Sequence, residues 1–427
     1  MSRAQPSIGI TALTALGLGL LACRAFVDGA YSVPALPTLY FGAMLAILSL
    51  AALERGRLPG ARAPASFDAP HALFVLALLA YIIFELLNLW RTNLWGLGDA
   101  LKRLSPFLLL LVLPLNNADA LRRTLLFYAF SVILVNAATV PFGFAWTTWG
   151  STNTLTGIYF YKTDLAFALV TALLLIVLLL PGQRWLIAAC TVVVGTMIAL
   201  SNARLNYATF LVVVIYALTC RGLTWRGIAV AAACIAVFGS LALWLVEARS
   251  QVSAFDFHDI RRFTQGRSHI WGLLVDEMVW YYDVREMLFG RGYRYDILLA
   301  LLHSPRAVFD SHNELLSQLV TRGMIGLLAY VAIWTAAIRF VLSRFDPGQA
   351  RNRRRYALLA IVSLLLLQSL TGVVSEYSTK TWPFLFCILA ACIGVRDVGA
   401  EADAPSSTAR TAPRATTGRA AYAVEPA

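Results

Sequence analysis

The chain has 427 residues, of which 59% are hydrophobic and only 14% are charged, with a net charge of +12 and a mean hydropathy of +0.70. A soluble domain usually carries about a quarter charged residues, so this composition excludes an ordinary soluble globular protein. It also argues against nucleic-acid binding, because no basic patch interleaved with aromatic residues stands in a soluble domain. Apolar runs of about 17–20 residues dominate instead, and an α-helix of that length crosses a bilayer.

These runs predict an all-α, polytopic membrane protein with about twelve transmembrane helices. The predicted spans are 8–22, 38–53, 71–87, 104–115, 124–140, 163–180, 185–200, 205–219, 227–246, 313–341, 356–374 and 379–395. They divide the chain into helices 1–9 within 1–246, a large loop over 247–312, helices 10–12 within 313–395 and a tail over 396–427. The first run is typical of a signal anchor, and the composition of the tail predicts disorder.

The short connecting loops predict the orientation of the chain. With the N-terminus inside, the loops that face the cytoplasm carry most of the short-loop arginines, such as those in the run 351–355. Both termini are then cytoplasmic, and the loop 247–312 lies outside, in the periplasm of a Gram-negative host. Much of the positive net charge is this topology signal.

Two cations stand at predicted outer membrane edges before the large loop. Lys162 has Asp164 nearby as a possible ion-pair partner, whereas Arg204 lies between two spans that have almost no connecting loop. A charge at that depth indicates a functional site, although an interfacial anchor is the simpler alternative for Arg204. Glu85 is the main acidic residue inside an early span, and no role is predicted for it.

The large loop is rich in arginine and histidine, which suits an anionic partner such as phosphate, because the guanidinium group pairs with phosphate bidentately. The alternative is a solvated surface with internal ion pairs. A helix is predicted over 265–278, with an apolar face of Ile270, Trp271, Leu274 and Met278. Arg267 falls on that same face, where it needs a counter-ion unless it reaches lipid headgroups.

The segment DSHNELLSQLVTRG (310–323) combines a polar start with an apolar helical stripe. Ser311 and Glu314 match an S-x-x-E capping box, which predicts Ser311 as the N-cap and His312 as the first helical residue. The positive end of the helix favours a neutral imidazole, so His312 is a candidate general base that Asp310 and Asn313 could orient. The alternative is a capped interfacial helix with an incidental histidine.

Three segments in this order resemble the signature of the O-antigen ligase and polymerase superfamily. The matching positions are Gly266, Arg267 and Trp271 for G-R-x-x-x-W, then Phe289, Gly290 and Gly292 for F-G-x-G, then His312, Asn313, Leu316, Leu319, Gly323 and Gly326 for H-N-x-x-L-x-x-L-x-x-x-G-x-x-G. Arg204 corresponds to an arginine that these proteins carry at an outer membrane edge. Glu314 departs from the pattern, which more often has a hydrophobic or aromatic residue there.

The resemblance implies a glycosyltransferase bundle of the GT-C type in the bacterial inner membrane. It implies transfer of a glycan from an undecaprenyl-diphosphate donor to an acceptor at the periplasmic face, which is the lipid A–core oligosaccharide for the ligases. By the resemblance Arg204, Arg267 and His312 carry the function, without a metal or another cofactor. Lower-ranked candidates for contacts to the diphosphate or sugar are Lys162, Asn313, His303, Arg291 and Trp271.

Other functions remain open at this stage. Within the superfamily, a repeat-unit polymerase and a protein O-oligosaccharyltransferase compete with the ligase, which the chain length and the lack of a large C-terminal extramembrane domain favour. Outside it, a transporter or flippase of lipid-linked glycans is the alternative. The near absence of charge at predicted mid-span positions argues against transport.

Overall fold

A computed structural model of the protein describes residues 11–29, 35–57, 68–88, 94–149, 152–220, 267–292, 294–303, 312–345, 351–370, 372–374 and 378–402, with a few isolated residues between 229 and 244. The described chain is mostly helical, which confirms the predicted all-α class. The predicted span 227–246, the loop residues 247–266 and the tail beyond 402 lie almost entirely outside these ranges.

The helices are α1 (Ala12–Ala22), α2 (Arg24–Gly29), α3 (Ala35–Arg57), α4 (Ala69–Leu87), α5 (Leu94–Val112), α6 (Ala118–Thr139), α7 (Lys162–Leu179), α8 (Arg184–Ser201), α9 (Arg204–Thr219), α10 (Arg267–Tyr281), α11 (Val284–Phe289), α12 (Tyr295–His303), α13 (Glu314–Arg344), α14 (Arg351–Ser369) and α15 (Ser378–Ala402). A 3₁₀ turn (Gly143–Ala145) and an antiparallel hairpin of β1 (Trp146–Trp149) and β2 (Thr152–Leu155) separate α6 from α7.

Four helices within the described residues are long and apolar enough to cross a membrane, namely α4, α7, α8 and α13. Shorter apolar helices occupy Ala12–Ala22, Leu39–Glu54, Arg204–Thr219 and Lys380–Gly394. The prediction of about twelve spans is therefore supported in a coarser form, as a helical membrane protein with these four candidate spans. Helix α15 also continues to Ala402, past the predicted start of the tail at 396.

The pairing of α4 with α13 shows how the helices alternate in direction. Near the start of α4, Asp68 lies 3.8 Å from the guanidinium of Arg344 at the end of α13. Near the end of α4, Glu85 accepts a hydrogen bond from Arg322 in the first part of α13, at 2.8 Å. The two helices are therefore antiparallel, as the predicted order of spans requires.

Arginine side chains cap helix C-termini at one end of the bundle. Arg122 donates to the carbonyl of Leu179 at 3.0 Å, Arg353 to that of Cys220 at 2.9 Å, and Arg354 to that of Leu342 at 3.1 Å. The last carbonyls of a helix have no partner within the helix and carry its negative partial charge, so a cation there is stabilising. These arginines come from the short loops predicted to face the cytoplasm.

Three short helices fill the described part of the large loop. The helix predicted over 265–278 is confirmed as α10, whose Leu274 and Met278 are buried against Val320 of α13. Helices α11 and α12 were not predicted. Helix α11 begins with a capping box in which Asp283 and Glu286 each accept from the other's backbone N–H.

Helix α13 breaks at Gly323, which has φ 68° and ψ −171°. We call residues 314–322 α13N and residues 324–344 α13C. The carbonyls of Val320 and Thr321, which the break releases, accept hydrogen bonds from the backbone N–H groups of Arg291 (3.1 Å) and Gly292 (3.0 Å). Backbone groups at such a break need partners inside protein, because lipid offers none.

A side chain reinforces this backbone contact. The hydroxyl of Tyr282 also donates to the Val320 carbonyl, at 3.0 Å. Burial raises the pKa of Tyr282, so that this hydroxyl remains a donor. The loop between α11 and α12 is thus joined directly to the break in α13.

The contact between loop and break needs glycine on both sides. A Cβ on Gly290 would overlap the backbone of Thr321 and Arg322, and a Cβ on Gly323 would overlap the backbone of Leu288 and Phe289. Gly290 also has a positive φ, of 74°. Gly290 of the F-G-x-G segment and Gly323, the first glycine after His312, therefore lie on the two sides of one backbone contact.

We expect Gly323→Ala to lower the free energy of unfolding by about 2 kcal/mol or more, from the left-handed backbone and the overlap with the loop. Gly272→Ala is the matched control, since a Cβ at that exposed position in α10 meets nothing within 4 Å and alanine favours a helix. Thermal unfolding of the purified protein in detergent measures both. Equal melting temperatures for the two variants would contradict this account of the contact.

Candidate active site

His312 lies just before α13 in a backbone conformation that few residues adopt. Its φ is 48°, in the left-handed region. The N-cap of α13 is Asn313, whose side-chain oxygen accepts from the N–H of Leu316 at 3.0 Å. The prediction that Ser311 is the N-cap and His312 the first helical residue is therefore wrong, and Ser311 itself lies outside the described residues.

The polar face of α13N is buried, as is Val320 of its apolar stripe. Glu314, Ser317 and Gln318 have no exposed surface, whereas Leu315 is 37% exposed. Gln318 donates to Glu314 at 2.7 Å, and Ser317 donates to Asp296 of α12 at 3.1 Å. Glu314 therefore belongs to a buried hydrogen-bonded network and not to the predicted capping box.

Lys162 is the first residue of α7, after a turn that a buried asparagine supports. Asn136 of α6 accepts from the backbone N–H of Ile158 at 3.0 Å, next to Gly157 with φ 61°. Asp164, the predicted partner of Lys162, lies 3.6 Å from the ammonium group of Lys380 in α15. The ion pair at this edge is therefore Asp164–Lys380, with both residues buried.

Arg204 is the first residue of α9, directly after a two-residue turn. Asn202 ends α8 in the left-handed conformation (φ 51°, ψ 37°), which asparagine tolerates better than most residues. Asn206, two residues further along α9, accepts from Gln368 of α14 at 2.7 Å. The short turn and this buried hydrogen bond fix the position of Arg204 at the start of its helix.

The structure brings Lys162, Arg204 and Arg267 together. The positive charges of Arg204 and Arg267 both act on the ammonium group of Lys162, although the three residues come from separate parts of the chain. Lys162 and Arg204 are the first residues of α7 and α9, and Arg267 lies at the first described position of α10. We call these three residues the cation cluster.

Positive charge is unfavourable at these positions. A helix N-terminus carries a positive partial charge, so Lys162 and Arg204 gain nothing from their helices, and the two arginines also repel Lys162. An anion reverses both effects, since helix N-termini and arginine side chains each bind phosphate groups. The arrangement is therefore suited to a multiply charged anion such as a diphosphate.

The helix that begins at Arg267 packs on the helix that follows His312. Ile270, one turn after Arg267, joins Leu274 and Met278 against Leu316 and Val320 of α13N. This confirms the predicted apolar face of α10, at whose N-terminal end Arg267 lies. Two motif segments of the sequence thus form one packed unit.

Three of the lower-ranked candidates lie on or beside different helices. Trp271 is half-buried beside Ile270 on α10, and the side chain of Asn313 is engaged as the N-cap. His303 is exposed at the end of α12, where its ring nitrogen contacts the carbonyl of Leu299 at 3.0 Å. Their roles in substrate binding stay predictions.

Arg291 is held within the loop itself. It pairs with Glu277, lies 3.1 Å from Glu286, contacts the hydroxyl of Tyr295 at 2.5 Å and covers the ring of Tyr282 at 4.6 Å. These contacts occupy most of the hydrogen-bond donors of its guanidinium group. The structure therefore favours a role in joining α10, α11 and α12 over direct contact with a phosphate.

Sequence reasoning missed a group of buried charges near this site. Glu85 of α4 lies between Arg322 of α13N (2.8 Å) and Arg103 of α5 (3.5 Å), and all three residues are buried. The signal was available as charged residues in or beside apolar runs, which need partners in a membrane. Glu85 lies near the end of α4 and Arg322 in the first part of α13, so these charges do not test the prediction that mid-span positions are nearly free of charge.

Comparisons with known proteins add no family to this geometry. A scan against models of protein families finds no match to the chain, and a search of curated proteins finds none either. Within the described residues, no group of three or more His, Cys, Asp or Glu side chains could hold a metal ion. The resemblance to the O-antigen ligase and polymerase superfamily stays a prediction.

We expect Arg204→Gln and Arg267→Gln each to weaken the binding of inorganic pyrophosphate about 10- to 100-fold, the usual worth of a charge-assisted hydrogen bond. Arg184→Gln is the matched control, because Arg184 is also the first residue of its helix but is exposed at the opposite end of the bundle. Isothermal titration of the purified protein provides the measurement. An equal loss of affinity in the control would mean that the cation cluster is not the binding site.

Proposed function

We propose that the protein is a glycosyltransferase that moves a glycan from undecaprenyl diphosphate to the lipid A–core oligosaccharide, as an O-antigen ligase does. The observation that carries the proposal is the cation cluster of Lys162, Arg204 and Arg267, of which Lys162 and Arg204 stand at helix N-termini. A diphosphate is the leaving group of such a transfer, and it is the kind of anion that this cluster suits.

The reaction is a direct displacement at the anomeric carbon of the donor. The acceptor hydroxyl oxygen forms a bond to that carbon, and the bond from the carbon to the diphosphate oxygen breaks, which inverts the configuration. The electron pair stays with the leaving undecaprenyl diphosphate, whose developing charge Arg204 and Arg267 stabilise. We propose that these cations take the role that a divalent metal has in many sugar transferases.

His312 is the proposed general base, which takes the proton of the acceptor hydroxyl. It stands on the short connection before α13N, and α13N packs on the helix that carries Arg267. General base catalysis contributes about 10²–10⁴ to a rate. The left-handed backbone at His312 also supports a functional role, because strained conformations cluster at active sites.

We further propose the complete architecture as about twelve spans in a GT-C-like bundle of the bacterial inner membrane, with both termini cytoplasmic. The two ends of the described bundle support this orientation. Arginines from short loops cap helix C-termini at one end, whereas the cation cluster lies at the other. The cation cluster then faces the periplasm.

A repeat-unit polymerase or a protein O-oligosaccharyltransferase would use the same donor and the same cation cluster. Polysaccharide banding of a strain that lacks the gene separates them. Loss of a ligase leaves bare lipid A–core while lipid-linked polymer accumulates. Lipopolysaccharide capped with a single repeat unit would identify the polymerase instead, and an unchanged lipopolysaccharide would favour transfer to protein.

Transport of a lipid-linked glycan is the second candidate, and a specific observation favours it. The broken helix at Gly323 and the buried charges of Glu85, Arg103 and Arg322 are features that transporters use at their binding sites. Purified protein in liposomes decides between the two. Joining of donor glycan to acceptor without an energy source supports the transferase.

We expect His312→Ala and Arg267→Ala to lower the transfer rate at least about 100-fold while the protein remains in the membrane. The assay is transfer of labelled glycan from lipid-linked donor to rough lipopolysaccharide in proteoliposomes. His269→Ala is the matched control, because His269 is exposed on the polar face of α10. Transfer near the wild-type rate in either variant would remove that residue from the mechanism.

A further inference from the structure

The strongest unexplained feature of the protein is the buried charge group around Glu85. The Glu85 carboxylate lies 2.8 Å from the guanidinium of Arg322 and 3.5 Å from that of Arg103, and these side chains are at most 8% exposed. Each buried ion loses favourable hydration, and removing one partner of such a pair is strongly destabilising. Stability alone is a weak reason for such a group, because apolar residues of similar volume often serve as well.

A second buried acidic residue lies in the same region. Glu314, the first residue of α13, has no exposed surface, and its carboxyl group accepts a hydrogen bond from Gln318 at 2.7 Å. Tyr81 of α4 lies close to both Glu85 and Glu314. The two acidic side chains therefore share this region with Arg103 and Arg322.

This charge group is attached to the helix that follows the proposed base. Helix α13N starts directly after His312 and Asn313 and ends at Arg322, so its length of nine residues is about 13 Å. The break at Gly323 interrupts the regular helix, so α13C does not fix the direction of α13N through continuous helical backbone. Contacts with other elements must set that direction.

Two sets of contacts do so. The first comes from the large loop, through the backbone of Arg291 and Gly292 and through the Asp296–Ser317 hydrogen bond. The second comes from the membrane helices, through Glu85 of α4. The loop contacts would move with the loop, whereas Glu85 ties α13N to the bundle that carries Lys162 and Arg204.

We propose that Glu85 is a positioning residue, whose carboxylate holds Arg322 and thereby sets α13N and His312 against the cation cluster. This inference rests on the proposed function, since it assigns Glu85 a role through His312. Glu85 touches neither substrate nor the reacting atoms. Its loss displaces the base, while Lys162 and Arg204 stay at the starts of their own helices in the bundle.

The test compares Glu85→Gln with Glu85→Asp in the proteoliposome transfer assay. A displacement of about 1 Å can cost about 100-fold in rate, so we expect Glu85→Gln to lower kcat about 10- to 100-fold while KM for the donor changes less than about threefold. Glu85→Asp keeps the charge and should recover most of kcat. The matched control is Glu54→Gln, the same change at an exposed position of α3.

A second variant separates positioning from folding. Glu85→Gln removes the carboxylate between Arg103 and Arg322, whereas Glu85→Gln with Arg322→Met also removes one of these two buried cations. We expect the double variant to melt at a higher temperature than Glu85→Gln but to keep the low kcat, because α13N is still untied from α4. Full activity in a double variant that melts above Glu85→Gln would overturn the positioning role.

A distance measurement tests the same inference without activity. Spin labels at Leu315 of α13N and Leu87 of α4, both exposed, report the distance between these elements in a variant without other cysteines. We expect a broader or shifted distance distribution in Glu85→Gln and an unchanged distribution in Glu54→Gln. An unchanged distribution in Glu85→Gln would overturn the inference.

The outcomes also separate this inference from the proposed function. If wild-type protein transfers glycan, His312→Ala does not, and Glu85→Gln is fully active, the positioning role fails while the transferase stands. If the wild type transfers nothing but Glu85→Gln still loosens α13N, the proposed function fails and Glu85 positions α13N for another activity.

Discussion

A helix that breaks inside an apolar bundle leaves backbone groups that lipid cannot satisfy, and the contact that satisfies them at Gly323 determines much of this structure. The carbonyls of Val320 and Thr321 accept from backbone N–H groups of the loop, and the Val320 carbonyl also accepts from the hydroxyl of Tyr282. Backbone can approach backbone this closely only because Gly290 and Gly323 lack a Cβ. The contact makes α13N part of the extramembrane unit as well as of the bundle, and so connects α10 with the segment of His312.

The two ends of the bundle treat charge in opposite ways. At one end, Arg122 and Arg353 lie at helix C-termini, where the helix dipole stabilises a cation. At the other end, Lys162 and Arg204 lie at helix N-termini, where it does not, and Arg267 lies close to Lys162. An anion that arrives at the outer end would relieve the repulsion between Lys162 and the two arginines.

The features that the sequence predicts correctly follow from local sequence patterns. The long apolar runs of α4, α7, α8 and α13 and the apolar face of α10 follow from composition and helical period. The N-cap of α13 did not, because Ser311 and Asn313 both stand where a cap is possible, and only the path of the chain decides between them. The helical period of the apolar residues also cannot show that the polar face of α13N is buried. Its polar face turns inward because partners for it exist elsewhere in the fold.

Those partners are distant in the chain. Glu85 and Arg322 are 237 residues apart, so neither residue carries a local signal of the pair. The same holds for Asp164, which pairs with Lys380 although Lys162 stands only two residues away in sequence. On a helix, residues two apart point to different sides, and a buried carboxylate takes the cation that the neighbouring helix presents. Buried ion pairs between helices therefore cannot be predicted from single sequence segments.

The broken helix and the buried charges are features of transporters as well, and their surroundings bear on that choice. A transporter uses a break to expose backbone groups and charges to a water-filled path. Here the carbonyls freed at Gly323 accept hydrogen bonds from the loop backbone, and Glu85 lies between two arginines. The cavity beside Arg103, lined by Tyr81, Tyr330 and Trp334, has room for about one water molecule. In this conformation the buried charges therefore join α4, α5 and α13 to one another, as expected of a support for a site at the outer end.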